Sequence, residues 1–274
     1  VVRAGTVVAL LAAVTVACGV RPGASTGAAA TYPGSIVVIG HSGATGYNSD
    51  PRRPLTDAPE NSWATGTNPA VDSIYRRILT HNPAIKGHAS NLAVDGSGVT
   101  DLINQARAAV SHVRAPGLVL VQTVDNDLRC DGTDPQNYKP YAAKLAIALD
   151  AIAKGAPGAR IFVVGMWATV RNYTNVIKSI PSARAENTGT GPCDVFDGSG
   201  KVRAAGVASM ERIVAGYHRQ VAVTCARFPT CRSDNGAVYR MVIRRADLAS
   251  DGNHLSVSGQ KKMAATVWAT LYPR

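Results

Sequence analysis

Aliphatic runs that alternate with segments of helical spacing constrain the fold of this chain more than any other feature. The runs predict strands at residues 35–41, 85–94, 117–124, 159–166 and 237–243. The segments between and after them predict helices at residues 69–82, 99–113, 137–154, 202–226 and 256–271. Strands that are apolar on both faces are typical of a parallel sheet that helices cover on both sides. We therefore expect an α/β fold, a three-layer α/β/α domain around a central, mostly parallel sheet of five strands.

The first residues have the pattern of an export signal. Arg3 precedes an apolar stretch, Thr6–Val16, which is too short to span a bilayer as a helix. The string Thr15-Val16-Ala17-Cys18 resembles the lipobox of bacterial lipoproteins. We expect a signal peptide over residues 1–17 and a lipid on Cys18 that anchors the protein to the bacterial cell membrane, outside the cytoplasm. The alternative is an ordinary cleaved signal peptide, which would leave the protein secreted.

The rest of the chain divides into a tether and one domain. Residues 18–34 begin with the anchor cysteine and are rich in Gly, Ala, Ser, Thr and Pro, which is typical of a flexible linker. Residues 35–274 suffice for one sizeable domain and scarcely for two. Within this domain, residues 43–68 and 181–201 contain Gly and Pro and predict long loops, which on an α/β scaffold usually shape a substrate site.

The cysteines are interpreted in the light of export. Outside the cytoplasm, the four that remain beyond the anchor favour disulfides over free thiols. Four cysteines allow three pairings. Cys225 and Cys231 most simply close a small loop, which leaves Cys130 to pair with Cys193. No two of them have C-x-x-C spacing, so we expect no zinc site and no other metal.

The charge balance limits the partners. The chain has 29 Lys and Arg against 18 Asp and Glu, a formal net charge of +11. At a bacterial surface this charge favours attraction to anionic lipids or cell-wall polymers. The basic residues are scattered, without a basic helix or an aromatic stacking motif, so nucleic acid is not an expected partner. We expect a monomer that meets the membrane through its lipid anchor.

Three short polar strings carry the chemistry. Gly40-His41-Ser42 ends the first predicted strand, Val124-Asp125-Asn126-Asp127 ends the third, and Asp251-Gly252-Asn253-His254 precedes the last helix. In an open parallel sheet, sites gather beyond the carboxyl ends of the strands. A serine there, with an Asp-x-x-His near the C-terminus, supplies a nucleophile, a base and a group that orients the base. We expect Ser42 Oγ to lie within about 3.5 Å of His254.

Together these strings resemble the SGNH (GDSL-like) hydrolase family over residues 35–274. The family's Gly-Asp-Ser block corresponds to Gly40-His41-Ser42, with His in place of Asp. Its second block corresponds to Asn91–Ser97, which places Gly96 in the oxyanion hole, and its Gly-x-Asn-Asp block keeps Asn126 but loses the glycine. The resemblance implies a flavodoxin-like fold, a triad of Ser42, Asp251 and His254, and oxyanion donors on Ser42, Gly96 and Asn126.

This resemblance implies an exported serine esterase that forms an acyl-enzyme at Ser42 and needs no cofactor. Its substrate would be a small or polymeric ester, either a lipid, an acylglycerol or an acetylated sugar polymer. The membrane address favours a lipid. The alternative is a non-catalytic lipid- or glycan-binding lipoprotein on the same scaffold. For His41 two roles stay open: it binds substrate, or it replaces the family's Asp as a hydrogen-bonding group at the strand end.

Overall fold

Five short parallel strands form one sheet in the order β2-β1-β3-β4-β5. The computed structural model of the protein describes residues 31–113 and 115–273. The strands are β1 (Ile36–Ile39), β2 (Ala89–Asn91), β3 (Leu118–Gln122), β4 (Arg160–Val164) and β5 (Cys231–Ser233). All four neighbouring pairs are parallel, with Ile36 opposite both Ala89 and Leu118. The carboxyl ends of the strands therefore lie along one edge of the sheet.

Helices cover both sides of this sheet. They are α1 (Ser42–Thr45), α2 (Ile74–His81), α3 (Leu102–His112), α4 (Asp134–Gly155), α5 (Val170–Ile177), α6 (Pro181–Glu186), α7 (Ala204–Cys225) and α8 (Val257–Leu271). The predicted three-layer α/β/α class with a parallel five-stranded sheet is confirmed.

The central strands are buried because their side chains meet helices on both faces. Every residue of β1 and β3 is buried, and only Arg160 at the start of β4 is partly exposed. This is the burial that the continuous Val, Ile and Leu runs predict. The edge strands β2 and β5 are shorter and more exposed.

The fifth strand was predicted at the wrong place. Residues 237–243 form a turn and an irregular segment, whereas β5 is Cys231–Ser233. The carboxylate of Asp234 accepts hydrogen bonds from the backbone N–H groups of Gly236 and Val238, which turns the chain directly after β5. An edge strand of three residues with one exposed side chain has no apolar run, so a hydrophobic pattern does not reveal it.

The two predicted loops contain short helices. Residues 43–68 include most of α1, and α6 lies in the stretch 181–201. The helix α5, before that stretch, was not predicted at all. It begins after Thr169, whose side chain accepts a hydrogen bond from the Asn172 N–H and so caps the helix.

Both predicted disulfides are present. Cys130–Cys193 joins the segment after β3 to the stretch 181–201, and Cys225–Cys231 joins the end of α7 to the start of β5. The Cα atoms are 5.3 Å apart in each pair. The predicted signal peptide, Cys18 and most of the tether lie outside the described residues. Within residues 31–113 and 115–273 no helix combines the length and the apolarity needed to cross a bilayer.

Candidate active site

Ser42, His254 and Asp251 meet at the carboxyl edge of the sheet. Ser42 is the first residue of α1, directly after β1. His254 Nε2 lies 3.0 Å from Ser42 Oγ, and His254 Nδ1 lies 2.8 Å from Asp251 Oδ2. The distance from serine to histidine is within the expected limit. The contacts form one chain from hydroxyl to imidazole to carboxylate.

A sharp exit from β1 aims Ser42 at the edge of the sheet. Gly40 has φ of +144°, and a Cβ there would lie 2.5 Å from the carbonyl oxygen of Gln122, so only glycine fits. The side-chain amide of Gln105 on α3 makes two hydrogen bonds with the Gly40 backbone. Its Oε1 accepts from the Gly40 N–H at 2.7 Å, and its Nε2 donates to the Gly40 carbonyl at 2.9 Å.

A buried amide network fixes the start of α1. Gly43 packs so closely on Gln122 that a Cβ would lie within 3 Å of its side-chain amide. The Gln122 Oε1 accepts from the indole N–H of Trp63 at 2.8 Å. Gln260 on α8 donates to the Gly43 carbonyl and accepts from the Trp63 backbone N–H. These contacts hold α1 against the segment around Trp63 and against α8.

Asp251 is held as a carboxylate by four hydrogen bonds. It accepts from the His254 side chain, from the backbone N–H groups of Asn253 and His254, and from Asn48 Nδ2 at 2.6 Å. Burial alone would raise the pKa of Asp251, but these hydrogen bonds together lower that pKa well below its usual range. Tyr47 packs against the His254 ring, with 4.7 Å between centroids.

His41 has protein partners on both ring nitrogens. Its Nδ1 accepts from the Gly43 N–H at 3.2 Å, which caps the N-terminus of α1. Its Nε2 lies 3.0 Å from Asp125 Oδ2, an ion-pair distance without the alignment of a hydrogen bond. The side chain is buried, although it lines a cavity together with Ser42 and His254. This geometry favours the second of the two roles left open, a hydrogen-bonding group at the end of the strand.

The expected oxyanion donors are only partly assembled. Ser42 and Asn126 line the same cavity, whereas Gly96 is not among its lining residues. Gly96 lies in the turn after β2 with φ of +72°. One amide hydrogen of Asn126 is donated to the carbonyl of Ser97, the residue that follows Gly96, at 3.1 Å. Because an amide carries two hydrogens, Asn126 keeps one for a ligand.

Val124 occupies the place of the family's glycine and keeps a glycine-like backbone. Its φ is +97°, and its side chain is fully buried. For a β-branched residue this conformation is strained. Beside it, Asp127 Oδ1 accepts from the Val99 N–H at 2.9 Å, while the buried Oδ2 has no hydrogen-bond partner among the described residues. Burial raises the pKa of Asp127.

A cavity of about 340 Å³ opens beside Ser42 and His254. One wall is apolar and is made by Leu128, Met166, Trp167, Tyr173, Met210 and Leu255. The disulfide Cys130–Cys193 and the polar residues Asn187 and Asn253 also line it. Its size is at the lower end of small-molecule sites. In the part of the chain that the structure describes, no group of three or more His, Cys, Asp or Glu side chains could hold a metal ion.

Sequence reasoning missed the supporting side chains. Asn48, Gln105, Gln122 and the Asp125 partner of His41 were not predicted to touch the site. An Asn six residues after a candidate nucleophile string carries no signal in a single sequence, because its partner Asp251 is 203 positions away.

The comparisons with known proteins agree with this fold. No model of a protein family matches the chain, and no curated protein matches it. A structure described as a GDSL-like lipase from Parabacteroides merdae matches with a TM-score of 0.51 and 14% identity, over 86% of this chain and 94% of the other. Phospholipase A1 from Streptomyces albidoflavus matches with a TM-score of 0.50 and 13% identity, over 86% and 98%. The protein has the α/β fold of SGNH (GDSL-like) hydrolases.

Proposed function

We propose that the protein is an exported serine esterase that hydrolyses carboxylic esters through an acyl-enzyme at Ser42. The observation that carries the proposal is the chain of contacts from Ser42 Oγ to His254 and Asp251, 3.0 and 2.8 Å long, at the wall of a cavity. A serine hydroxyl is a weak nucleophile unless a base accepts its proton. This arrangement supplies both the base and the carboxylate that orients it.

In acylation, Ser42 Oγ attacks the ester carbonyl carbon while His254 Nε2 accepts the hydroxyl proton. The imidazolium then gives this proton to the oxygen of the leaving alcohol as the C–O bond breaks. The acyl group stays on Ser42. Asp251 keeps Nδ1 of His254 protonated and stabilises the imidazolium, and its lowered pKa keeps it ionised for this task.

Deacylation repeats these steps with water. A water molecule attacks the acyl carbonyl carbon while His254 takes a proton from that water. The bond between the acyl group and Ser42 Oγ then breaks, and His254 returns the proton to Oγ. In both steps negative charge develops on the carbonyl oxygen. The Ser42 backbone N–H, which has no partner within α1 because it opens the helix, and the free amide hydrogen of Asn126 are donors in the cavity lining that can stabilise this charge.

The substrate class is an acylated lipid or an acylated carbohydrate. The apolar wall of the cavity suits an acyl chain or another apolar group. The names of the two structural neighbours, a GDSL-like lipase and a phospholipase A1, are consistent with an ester of a lipid. No cofactor is part of this proposal.

The proposed address is the outer face of the bacterial cell membrane, through a lipid on Cys18. Metabolic labelling with an alkyne fatty acid should mark the wild-type protein and not a Cys18→Ser variant. Equal labelling of both would contradict lipidation at this residue, and labelling of neither would support the secreted form.

Hydrolysis of p-nitrophenyl esters with acyl chains of increasing length tests the activity. We expect Ser42→Ala to lower kcat/KM on the order of 10⁴-fold or more. Asn126→Ala should lower kcat by about 10²- to 10³-fold. Ser111→Ala, on the exposed surface of α3, is the matched control and should change nothing. A folded wild-type protein that cleaves no ester faster than Ser42→Ala would refute the esterase and favour a non-catalytic lipid- or glycan-binding protein.

A further inference from the structure

The charges around the cavity are opposite to those of the whole chain. The formal net charge is +11, yet no Lys or Arg is among the described residues that line the cavity. The lining contains the carboxylates of Asp125 and Glu186 instead. Asp125 is paired with His41. The carboxylate of Glu186 has neither an ion pair nor a hydrogen bond within residues 31–113 and 115–273.

Glu186 is not explained by the stability of its own helix. It is the last residue of α6 and is exposed at the mouth of the cavity. A negative side chain at a helix C-terminus is unfavourable, because the exposed carbonyl groups carry partial negative charge there. An unpaired carboxylate in this position contributes nothing favourable to folding, and it belongs to the lining of the cavity.

Two aromatic side chains line the same cavity as this carboxylate. Trp167 and Tyr173 pack edge to face, with 5.8 Å between ring centroids and 79° between planes, and both are almost fully buried. Burial, with a smaller contribution from the charge of Glu186, raises the pKa of Tyr173 to about 12, so the phenol stays neutral. A neutral aromatic pair next to a carboxylate is a favourable environment for an organic cation.

We propose that the cavity recognises esters that carry an ammonium group, with Trp167, Tyr173 and Glu186 as the residues that determine this specificity. This inference rests on the proposed esterase function and narrows its substrate class. The aromatic pair offers cation–π contacts to the ammonium methyl or methylene groups, and Glu186 offers a counter-charge at the mouth. An ester with an anionic group near the scissile bond would meet repulsion instead.

An isosteric pair of esters isolates the charge. Acetylcholine and 3,3-dimethylbutyl acetate have the same shape. Acetylcholine has a positively charged nitrogen at the position where the second ester has a neutral carbon. We expect kcat/KM to be about tenfold higher for the cation, mainly through KM, because the Glu186 carboxylate in the cavity lining attracts the cation and not the neutral carbon. The ratio should fall towards one in Glu186→Gln and at high salt. Glu211→Gln, whose carboxylate faces Arg171, should leave the ratio unchanged.

A binding measurement separates this inference from the esterase proposal. Choline should change the tryptophan fluorescence of Ser42→Ala, and the neutral 3,3-dimethylbutanol should do so only at about tenfold higher concentration. When Trp167→Phe is added to the Ser42→Ala variant, most of this change in tryptophan fluorescence should be lost. If esters are hydrolysed but the isosteric pair is cleaved equally well, the ammonium specificity is wrong and the esterase stands. If choline binds selectively but no ester is cleaved, the esterase is wrong and the cation site stands.

Discussion

Replacing His41 by Asp introduces the residue that SGNH hydrolases have in their Gly-Asp-Ser block, and we expect it to destabilise this protein. An Asp at 41 could still accept the Gly43 N–H and cap α1, since Asp is a good N-cap residue. It would, however, face Asp125, whose Oδ2 lies 3.0 Å from His41 Nε2 in the native protein. The native His–Asp pair would become two facing carboxylates in a mostly buried place.

The size of the effect follows from that geometry. An Asp side chain is shorter than a His, so the new oxygen would lie about 5 Å from the Asp125 carboxylate, where two like charges repel by about 3 kcal/mol at an effective dielectric constant of 20. We expect His41→Asp to lower the free energy of unfolding by about 2–4 kcal/mol at pH 7. His41→Asn can cap α1 in the same way without a charge, and should cost about 1 kcal/mol.

A double-mutant cycle with Asp125→Asn, measured by urea unfolding with both disulfides intact, isolates the repulsion. The double variant should recover about 2 kcal/mol relative to His41→Asp. kcat/KM on p-nitrophenyl acetate, measured in parallel, should recover with it, because His41 caps the helix that begins with Ser42. A coupling energy below about 0.5 kcal/mol, or equal destabilisation by His41→Asp and His41→Asn, would refute the repulsion between the carboxylates at positions 41 and 125.

Three further substitutions test individual contacts of the site. Asn48→Gly removes the hydrogen bond to Asp251 and should lower kcat/KM about tenfold, since hydrogen bonds to charged groups contribute about 1.5–3 kcal/mol. Asn48 helps to lower the pKa of Asp251, so the loss in free energy of unfolding relative to the wild type should have its full size above about pH 4 and become smaller in more acidic solution. A difference that stays constant across pH would contradict this. Val124→Gly should be more stable than Val124→Ala by about 1 kcal/mol or more in urea unfolding, the reverse of the usual order, because only Gly relieves the backbone strain; greater stability of the Ala variant would disprove the strain. Asp127→Asn should raise the free energy of unfolding at pH 7 by about 1 kcal/mol, because the raised pKa of Asp127 means that its ionised carboxylate destabilises the native state. This gain should vanish below about pH 4, where the carboxyl is protonated in both states. A gain that persists in acid would exclude this cause.

The sequence predicted those parts of the structure that leave a local signal. Buried central strands such as β3 appear as continuous aliphatic runs, and Ser42, Asp251 and His254 each stand in a short string at an element end. The edge strand Cys231–Ser233 was missed because it contacts one neighbouring strand and has no apolar run. Its true position depends on a pairing with Ile161–Val163, some 70 residues earlier, which no local pattern encodes.

The same distinction applies to the site. The contacts among Ser42, His254 and Asp251 were predictable because these three residue types stand in short strings at a strand end and in a pre-helix turn. Its supports were not, because Asn48, Gln105 and Gln122 act through amide groups that are common in any sequence. The role of Asp125 can be assigned only when its contact with His41 is known. Both deviations from the family pattern are explained in three dimensions: His41 caps the helix and pairs with Asp125, and Val124 adopts the glycine backbone under strain.

The position of the disulfide Cys130–Cys193 has a practical consequence for anyone who produces this protein. Both cysteines line the cavity beside Ser42, so the bond forms part of the surface that a substrate meets. Protein made in a reducing cytoplasm would keep the contacts among Ser42, His254 and Asp251, because none of them involves a cysteine, but would lose the covalent link between two segments of the cavity wall. The choice of expression compartment, and of reducing agent in the assay buffer, therefore has to be controlled in any activity screen.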